Sequence, residues 1–281
     1  MNNFKDKFDG CFFGSIVGDA LGMPYEFKHP SIITYIPDMI PGGPFNLPKG
    51  CWTDDTSMML CLADSLIAKK GFDPQDQLLK YLRWYQDGYN SAIDGCFDIG
   101  NQTQDSLERF DKDINLVVAP PTTFKAGNGA LMRINPIPLV YINLTDLLEY
   151  SKASTITTHN NETCINYSNL YCNAIRDQLL TNQKLTINSA GYGNCSGYVK
   201  DSYYLAIDAF NNTTSFEDCM EFVIKKGGDT DTNACIAGML AGAYYGLSGI
   251  PSDWVSSLID VKDLQKTCDS LYNLRLELNQ Q

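Results

Sequence analysis

Apolar residues recur along this chain at intervals of three and four and seldom alternate strictly with polar ones, so the pattern predicts helices almost throughout. Over 7–21 the residues Phe8, Cys11, Phe12, Ile16 and Ala20 mark one helical face. The same period predicts helices over 53–69, 75–88, 102–110, 145–155, 162–182, 196–210, 215–225 and 234–246. Alternating Val-, Ile- and Thr-rich runs are scarce, so no substantial sheet is expected. Pro- and Gly-rich stretches at 37–50 and 117–129 read as loops. No repeat and no low-complexity linker divides the chain, which predicts one all-α domain over 1–281.

Two of these helices carry a glycine stripe: Gly10, Gly14 and Gly18 in the first, Gly238, Gly242 and Gly246 in the last. Glycine inside a helix costs about 1 kcal/mol relative to alanine. A stripe therefore suggests a helix face pressed against neighbouring backbone, although a large core can also tolerate such helices.

Composition narrows the class. Hydrophobic residues make up 44% of 281, enough for a sizeable core, yet no window approaches the roughly 18–20 apolar residues of a membrane helix. The start, Met1-Asn2-Asn3-Phe4-Lys5-Asp6, lacks the basic and apolar regions of a secretory signal, so a cytoplasmic protein is expected. A net charge of −12 argues against nucleic-acid or anionic-membrane partners. It does not exclude an anionic small ligand, because bound cations can invert a local field. The ten cysteines form no Cys-x-x-Cys pair, and Cys11, Cys61, Cys164, Cys172 and Cys235 lie in apolar runs, as free buried thiols would. The glycosylation-like triplets at Asn143, Asn161 and Asn211 read as chance matches.

Two segments concentrate oxygen ligands: Trp52-Thr53-Asp54-Asp55-Thr56 and Gly228-Asp229-Thr230-Asp231-Thr232. Each stands at the start of a helical run, where Thr and Asp also serve as caps. Two such segments, each richer in oxygen than a cap requires, point to a metal site instead. Neighbouring residues on a helix diverge by about 100°, so Asp54 and Asp55 could address two different ions. Oxygen ligands without His or Cys suit Mg²⁺ or Mn²⁺. Neither His29 nor His159 has a cysteine at zinc-ligand spacing. Glu26, in an aromatic and apolar setting after the first glycine helix, would be a further ligand. Glu26, Asp54, Asp55, Asp229 and Asp231 together carry −5, which two divalent ions would reduce to −1.

The motifs Gly18-Asp19-Ala20-Leu21-Gly22, Trp52-Thr53-Asp54-Asp55-Thr56, Gly127-Asn128-Gly129-Ala130-Leu131-Met132-Arg133 and Gly227-Gly228-Asp229-Thr230-Asp231-Thr232 resemble, in order, those of the ADP-ribosylglycohydrolases. Cys96-Phe97-Asp98-Ile99-Gly100-Asn101 is similar to the branch that reactivates dinitrogenase reductase by removing ADP-ribose from arginine. The resemblance implies a compact orthogonal multi-helix fold around a binuclear Mg²⁺ or Mn²⁺ centre. The matching metal positions are Glu26, Thr53, Asp54, Asp55, Asp229, Asp231 and Thr232. It also implies that Gly127, Asn128, Gly129 and Ala130 cradle the ribose and diphosphate, with Asn101 and His159 as further ligand contacts and Asp98 or Glu26 moving the proton. Backbone N–H groups of a glycine-rich turn can bind an anion without basic side chains.

The implied reaction is hydrolysis at the ribose anomeric carbon of an ADP-ribosylated protein or small conjugate, by a monomer, with an arginine linkage favoured. A serine or acetyl linkage, a two-metal phosphohydrolase, and a non-catalytic ADP-ribose-binding relative remain open. Local alternatives also remain: His159 as a hydrogen-bonded helix-start residue, Asp98 as a turn residue before Gly100, and Lys125 and Arg133 as phosphate contacts or structural residues.

Overall fold

A computed structural model describes residues 3–34, 38–185 and 195–279. Among them the chain forms twelve α-helices: α1 (Asn3–Gly22), α2 (Asp54–Lys69), α3 (Pro74–Asp87), α4 (Asn101–Lys112), α5 (Pro136–Val140), α6 (Leu144–Ile156), α7 (Glu162–Leu180), α8 (Val199–Asn212), α9 (Phe216–Ile224), α10 (Thr230–Tyr245), α11 (Ser252–Ser257) and α12 (Val261–Leu278). No strand occurs among the described residues, only isolated bridges at Gly42–Leu47 and Gly127–Tyr198. No described helix is long and apolar enough to cross a membrane. All ten cysteines are unpaired, and eight of them are buried. The loop expected over 37–50 is seen from residue 38 onward; position 37, like Met1 and Asn2, lies outside the described residues.

The two glycine stripes meet each other. A Cβ on Gly14 would stand 2.4 Å from the Gly238 carbonyl oxygen, and one on Gly238 would stand 2.0 Å from the Gly14 carbonyl oxygen. Gly10 and Gly242 repeat the reciprocal approach, and Gly18 faces the Ala234 carbonyl. The seam thus runs antiparallel along α1 and α10 and ends where Gly22 abuts the backbone of Thr230 and Asp231. Backbone-to-backbone contact leaves no room for any side chain there, and this fixes the register of the two helices. The end of α1 is held at the start of α10.

Several predicted boundaries shift for local reasons. The helix expected from 196 begins at Val199, because residues 197–199 pair with the glycine loop: Asn128 N donates to Gly197 O (3.0 Å) and Val199 N to Ala126 O (3.0 Å). The helix expected over 234–246 starts earlier, at Thr230, and Gly246 leaves it with φ +76°. Asn143 and Asn161 are helix caps, accepting from Thr145 N (2.9 Å) and Thr163 N (2.8 Å). That gives two of the Asn-x-Thr triplets a structural explanation.

Candidate active site

The helix starts that carry the acidic segments are not capped by their own side chains. Thr53, at the N-cap of α2, and Asp229, at the N-cap of α10, make no side-chain capping bond. The cap of α2 comes instead from α1. Asp19, fully buried, accepts from Thr53 N (3.0 Å), Thr56 N (3.1 Å) and the Thr56 hydroxyl (2.6 Å), with the Thr53 hydroxyl 3.0 Å away. One carboxylate thus satisfies two of the free amides at this helix start, those of Thr53 and Thr56. Asp54 and Asp55 are thereby left free for another task. Asp19 belongs to the motif Gly18-Asp19-Ala20-Leu21-Gly22, which by sequence alone suggested no role for it.

The start of α10 is set by two successive left-handed glycines, Gly227 (φ +69°) and Gly228 (φ +73°). A Cβ on Gly228 would lie 2.2 Å from the Cys195 carbonyl oxygen. Gly228 O accepts from Phe27 N (2.7 Å), and the Thr230 hydroxyl donates to Gly22 O (2.8 Å). The segment after α1 and the first turn of α10 are therefore stitched together, so Glu26 meets Asp229 and Asp231. Each of these three carboxylates offers one oxygen, and the three oxygens lie within 4.8 Å of one another.

These residues open onto a cleft of about 360 Å³. Glu26, Asp54, Asp229, Asp231 and Thr232 line it, as do Asp98, Asn101, Gly127, Asn128, Gly129 and His159. The sequence-predicted set is thus brought together, with three qualifications. Thr53 and Asp55 lie behind the wall, fully buried; the Thr53 and Thr232 hydroxyls stand 3.0 and 3.3 Å from Asp55 Oδ2. The Ala130 side chain is buried and does not line the cleft. Arg133 is buried and touches no cleft surface, and Lys125 pairs with Asp105 at 3.2 Å outside the cleft.

Phe27 and Gln102 were not anticipated from the sequence. Phe27 is 73% exposed, lines the cleft and has φ +58°, a conformation rare for a bulky residue. Asp98 has φ +61°, as a turn residue before Gly100 would, yet it also faces the cleft. Sequence offers no direct signal for either backbone angle.

The glycine loop is a turn built without left-handed glycines. Neither Gly127 nor Gly129 has a positive φ. Asn128 O instead accepts from Leu131 N (2.7 Å) and Met132 N (3.0 Å), forming a single helical turn. Among the described residues, no backbone acceptor takes the amides of Gly129 and Ala130. Gly129 is favoured for a different reason: a Cβ on it would lie 3.0 Å from His159 Cε1 and 3.1 Å from Nε2, whereas one on Gly127, 3.5 Å from Nε2, would make only ordinary contact. Asn128 Nδ2 crosses the cleft to donate to Asp229 Oδ2 (2.7 Å).

Burial, and after it the crowding of like charges, raises the affinity of these carboxylates for protons. Burial, then Asp98, Asp229 and Asp19, pushes Glu26 up to about 8. Burial, then Asp19 and Asp229, pushes Asp98 up to about 7. Asp54, Asp55 and Asp231 are held well above the ordinary carboxylate range, again by burial first and neighbouring charge second. His159 is driven the other way, to about 3, by burial and then by the Arg133 charge. Glu26 Oε2, Asp55 Oδ1 and Asp231 Oδ1 are buried without a hydrogen-bond partner among the described residues. Unpaired buried anionic oxygens are costly, and a hard cation is the partner this all-oxygen set would accept. The acidic cluster can hold metal.

An all-helical fold with a buried acidic cluster at two helix starts defines a class of helical proteins whose site can hold metal. The chain belongs to the ADP-ribosylglycohydrolase family, whose sequence model matches residues 1–191 and 177–280. It is 32% identical to "ADP-ribosylarginine hydrolase Tri1" of Pseudomonas putida, over 95% of this chain and 78% of that protein. It is 31% identical to the "ADP-ribosyl-[dinitrogen reductase] glycohydrolase" of Rhodospirillum rubrum, over 96% of each. A solved structure described as "ADP-ribosylglycohydrolase-related protein complex" superposes with a TM-score of 0.84 at 32% identity, covering 98% of this chain and all of the other.

Proposed function

We propose that this chain, acting as one domain and as a cytoplasmic monomer, hydrolyses the bond between ADP-ribose and an arginine side chain of a modified protein or small conjugate. Two divalent cations, Mg²⁺ or Mn²⁺, would be held by Glu26, Thr53, Asp54, Asp55, Asp229, Asp231 and Thr232. The observation that carries this reading is the convergence of Glu26, Asp229 and Asp231, with unpaired buried oxygens on Glu26 and Asp231. When bound, the ions would polarise the ribose hydroxyls and provide activated water.

This chain's own groups do the rest. The loop amides of Gly129 and Ala130, with Asn101 and His159, bind and orient the ADP-ribose moiety against the acidic wall. The C1′–N bond breaks as oxocarbenium-like charge develops, which the surrounding carboxylates stabilise. Water gives its hydroxyl to C1′ and its proton to the departing guanidine, so no proton is consumed overall. Glu26 shares its position with two other converging carboxylate oxygens, which leaves Asp98, a cleft-lining carboxylate outside that cluster, to carry that proton.

Incubation with arginine-, serine- and acetyl-linked ADP-ribose, with Mg²⁺ or Mn²⁺, tests the reading. Free ADP-ribose should appear fastest from the arginine linkage. Release of AMP would indicate phosphohydrolysis instead, and no release from the arginine substrate would overturn the proposal.

A further inference from the structure

Arg133 is fully buried, and among the described residues no carboxylate lies within ion-pair distance of it. Its guanidinium stacks 4.6 Å from the centre of the Tyr81 ring, and Nη2 donates to the Thr158 hydroxyl at 2.7 Å. A buried cation without a directly paired anion is costly, even with the more distant Asp54 favouring its charge, so its presence asks for a reason. The Thr158 oxygen lies 2.7 Å from His159 Nδ1, and the opposite edge of that ring faces Gly127 and Gly129 at the cleft.

Donor and acceptor chemistry orders this chain in one direction. Arginine can only donate, so the Thr158 oxygen accepts from it. The hydroxyl then has one hydrogen to give, and the acceptor the structure provides for it is His159 Nδ1. A ring protonated at Nδ1 would place a second donor on the same oxygen and strand the hydroxyl hydrogen. A doubly protonated ring would set two cations on either side of one hydroxyl.

We infer that Arg133 is a positioning residue which, through Thr158, locks His159 in the neutral Nε2–H form, so that the ring is a fixed hydrogen-bond donor into the cleft. Its ligand partner is an acceptor oxygen of the phosphate or ribose class, and this part rests on the ADP-ribose reading above. His159 would then bind and would not transfer protons. The close packing of Gly127 and Gly129 keeps the ring edge free of any side chain that could cover this donor.

The chain has only two histidines, His29 and His159, so ring ¹⁵N spectra of histidine-labelled protein are simple to assign. The wild-type protein should show His159 with an unprotonated Nδ1 and a protonated Nε2 at neutral pH, with or without ligand. Thr158→Val should mix the tautomers and weaken ADP-ribose binding about tenfold, while kcat on ADP-ribosyl-arginine changes less than KM. Thr158→Ser, which restores the hydroxyl, should recover the spectrum and most of the affinity. Arg133→Met should move the same signals, and the threonine pair keeps the test open if that variant does not fold. An Nδ1–H or doubly protonated His159 in the wild type, or a Thr158→Val protein with unchanged spectrum and affinity, would overturn the inference. Failure of the wild-type protein to bind ADP-ribose would instead count against the proposed function, since the tautomer is read without ligand.

Discussion

The two walls of the cleft are built on different principles. The acidic wall stands on helix ends that are locked by backbone contact: the α1–α10 glycine seam terminates on Asp231, and Asp19 reaches from α1 to cap α2. The facing wall is a loop turn with Asn101, Asn128 and His159, held by hydrogen bonds and carrying no net charge of its own. One wall concentrates negative charge that needs a cation; the other offers neutral donors suited to the oxygens of an anionic ligand. On the proposed function, this division would let a chain of net charge −12 accept a diphosphate. It also predicts that perturbing one wall should alter metal affinity and perturbing the other should alter ligand affinity.

The largest effect is expected at Asp231. Asp231→Asn keeps the shape but removes a charge, and a neutral amide is a far poorer ligand for a hard cation. Hydrolysis of ADP-ribosyl-arginine should fall by about two orders of magnitude or more, with a helical circular dichroism spectrum retained. A mere cap would tolerate the change, so near-wild-type turnover would return Asp231 to that role.

The seam comes next. Gly238→Ala places a Cβ against the Gly14 carbonyl and should cost about 2–3 kcal/mol of stability by overpacking, read by urea unfolding. Mn²⁺ affinity should fall with it, because the displaced register moves Glu26 away from Asp231. An unchanged unfolding midpoint would mean that the helices can separate freely.

On the neutral wall, Gly129→Ala brings a methyl against the His159 ring. ADP-ribose binding should weaken several-fold by calorimetry, by about 1 kcal/mol, while Mn²⁺ binding holds. Equal losses in both would erase the distinction between the walls.

A further prediction concerns pH. Folding raises the proton affinity of Glu26 to about 8 and Asp98 to about 7, above their ordinary values of 4.5 and 3.8. Groups shifted upward stabilise the fold below their unfolded pKa and lose that contribution as pH rises through the folded one. Metal-free protein should therefore melt progressively lower as pH rises from about 4 to about 8. The difference between metal-loaded and EDTA-treated protein should widen over the same interval; parallel melting curves would contradict this.

Much of the acidic wall was legible because its residues come in dense motifs at the starts of helical runs. Both glycine stripes marked close backbone contact, though nothing in the sequence paired one stripe with the other. Asp19 was hidden because its role is to cap a helix more than thirty positions away. The helix α12 went unread although Leu264, Cys268, Leu271 and Leu274 form its buried stripe; Asp260 before it takes a left-handed turn (φ +46°) and gives no side-chain cap. The helix α5 is five residues long with two prolines, too short for periodicity to register. The loop wall was legible in composition but not in mechanism, since the packing of Gly127 and Gly129 against His159 depends on a contact some thirty residues apart.

Titration of metal-free protein with Mn²⁺ at neutral pH, following bound metal and release of ADP-ribose from ADP-ribosyl-arginine in the same samples, is the most direct test of the acidic wall as a metal centre. The wild-type chain should take up two ions and gain hydrolysis along the same curve, and Asp231→Asn should bind less and gain little. Full hydrolysis in excess EDTA, or a wild-type chain that binds no Mn²⁺, would contradict it.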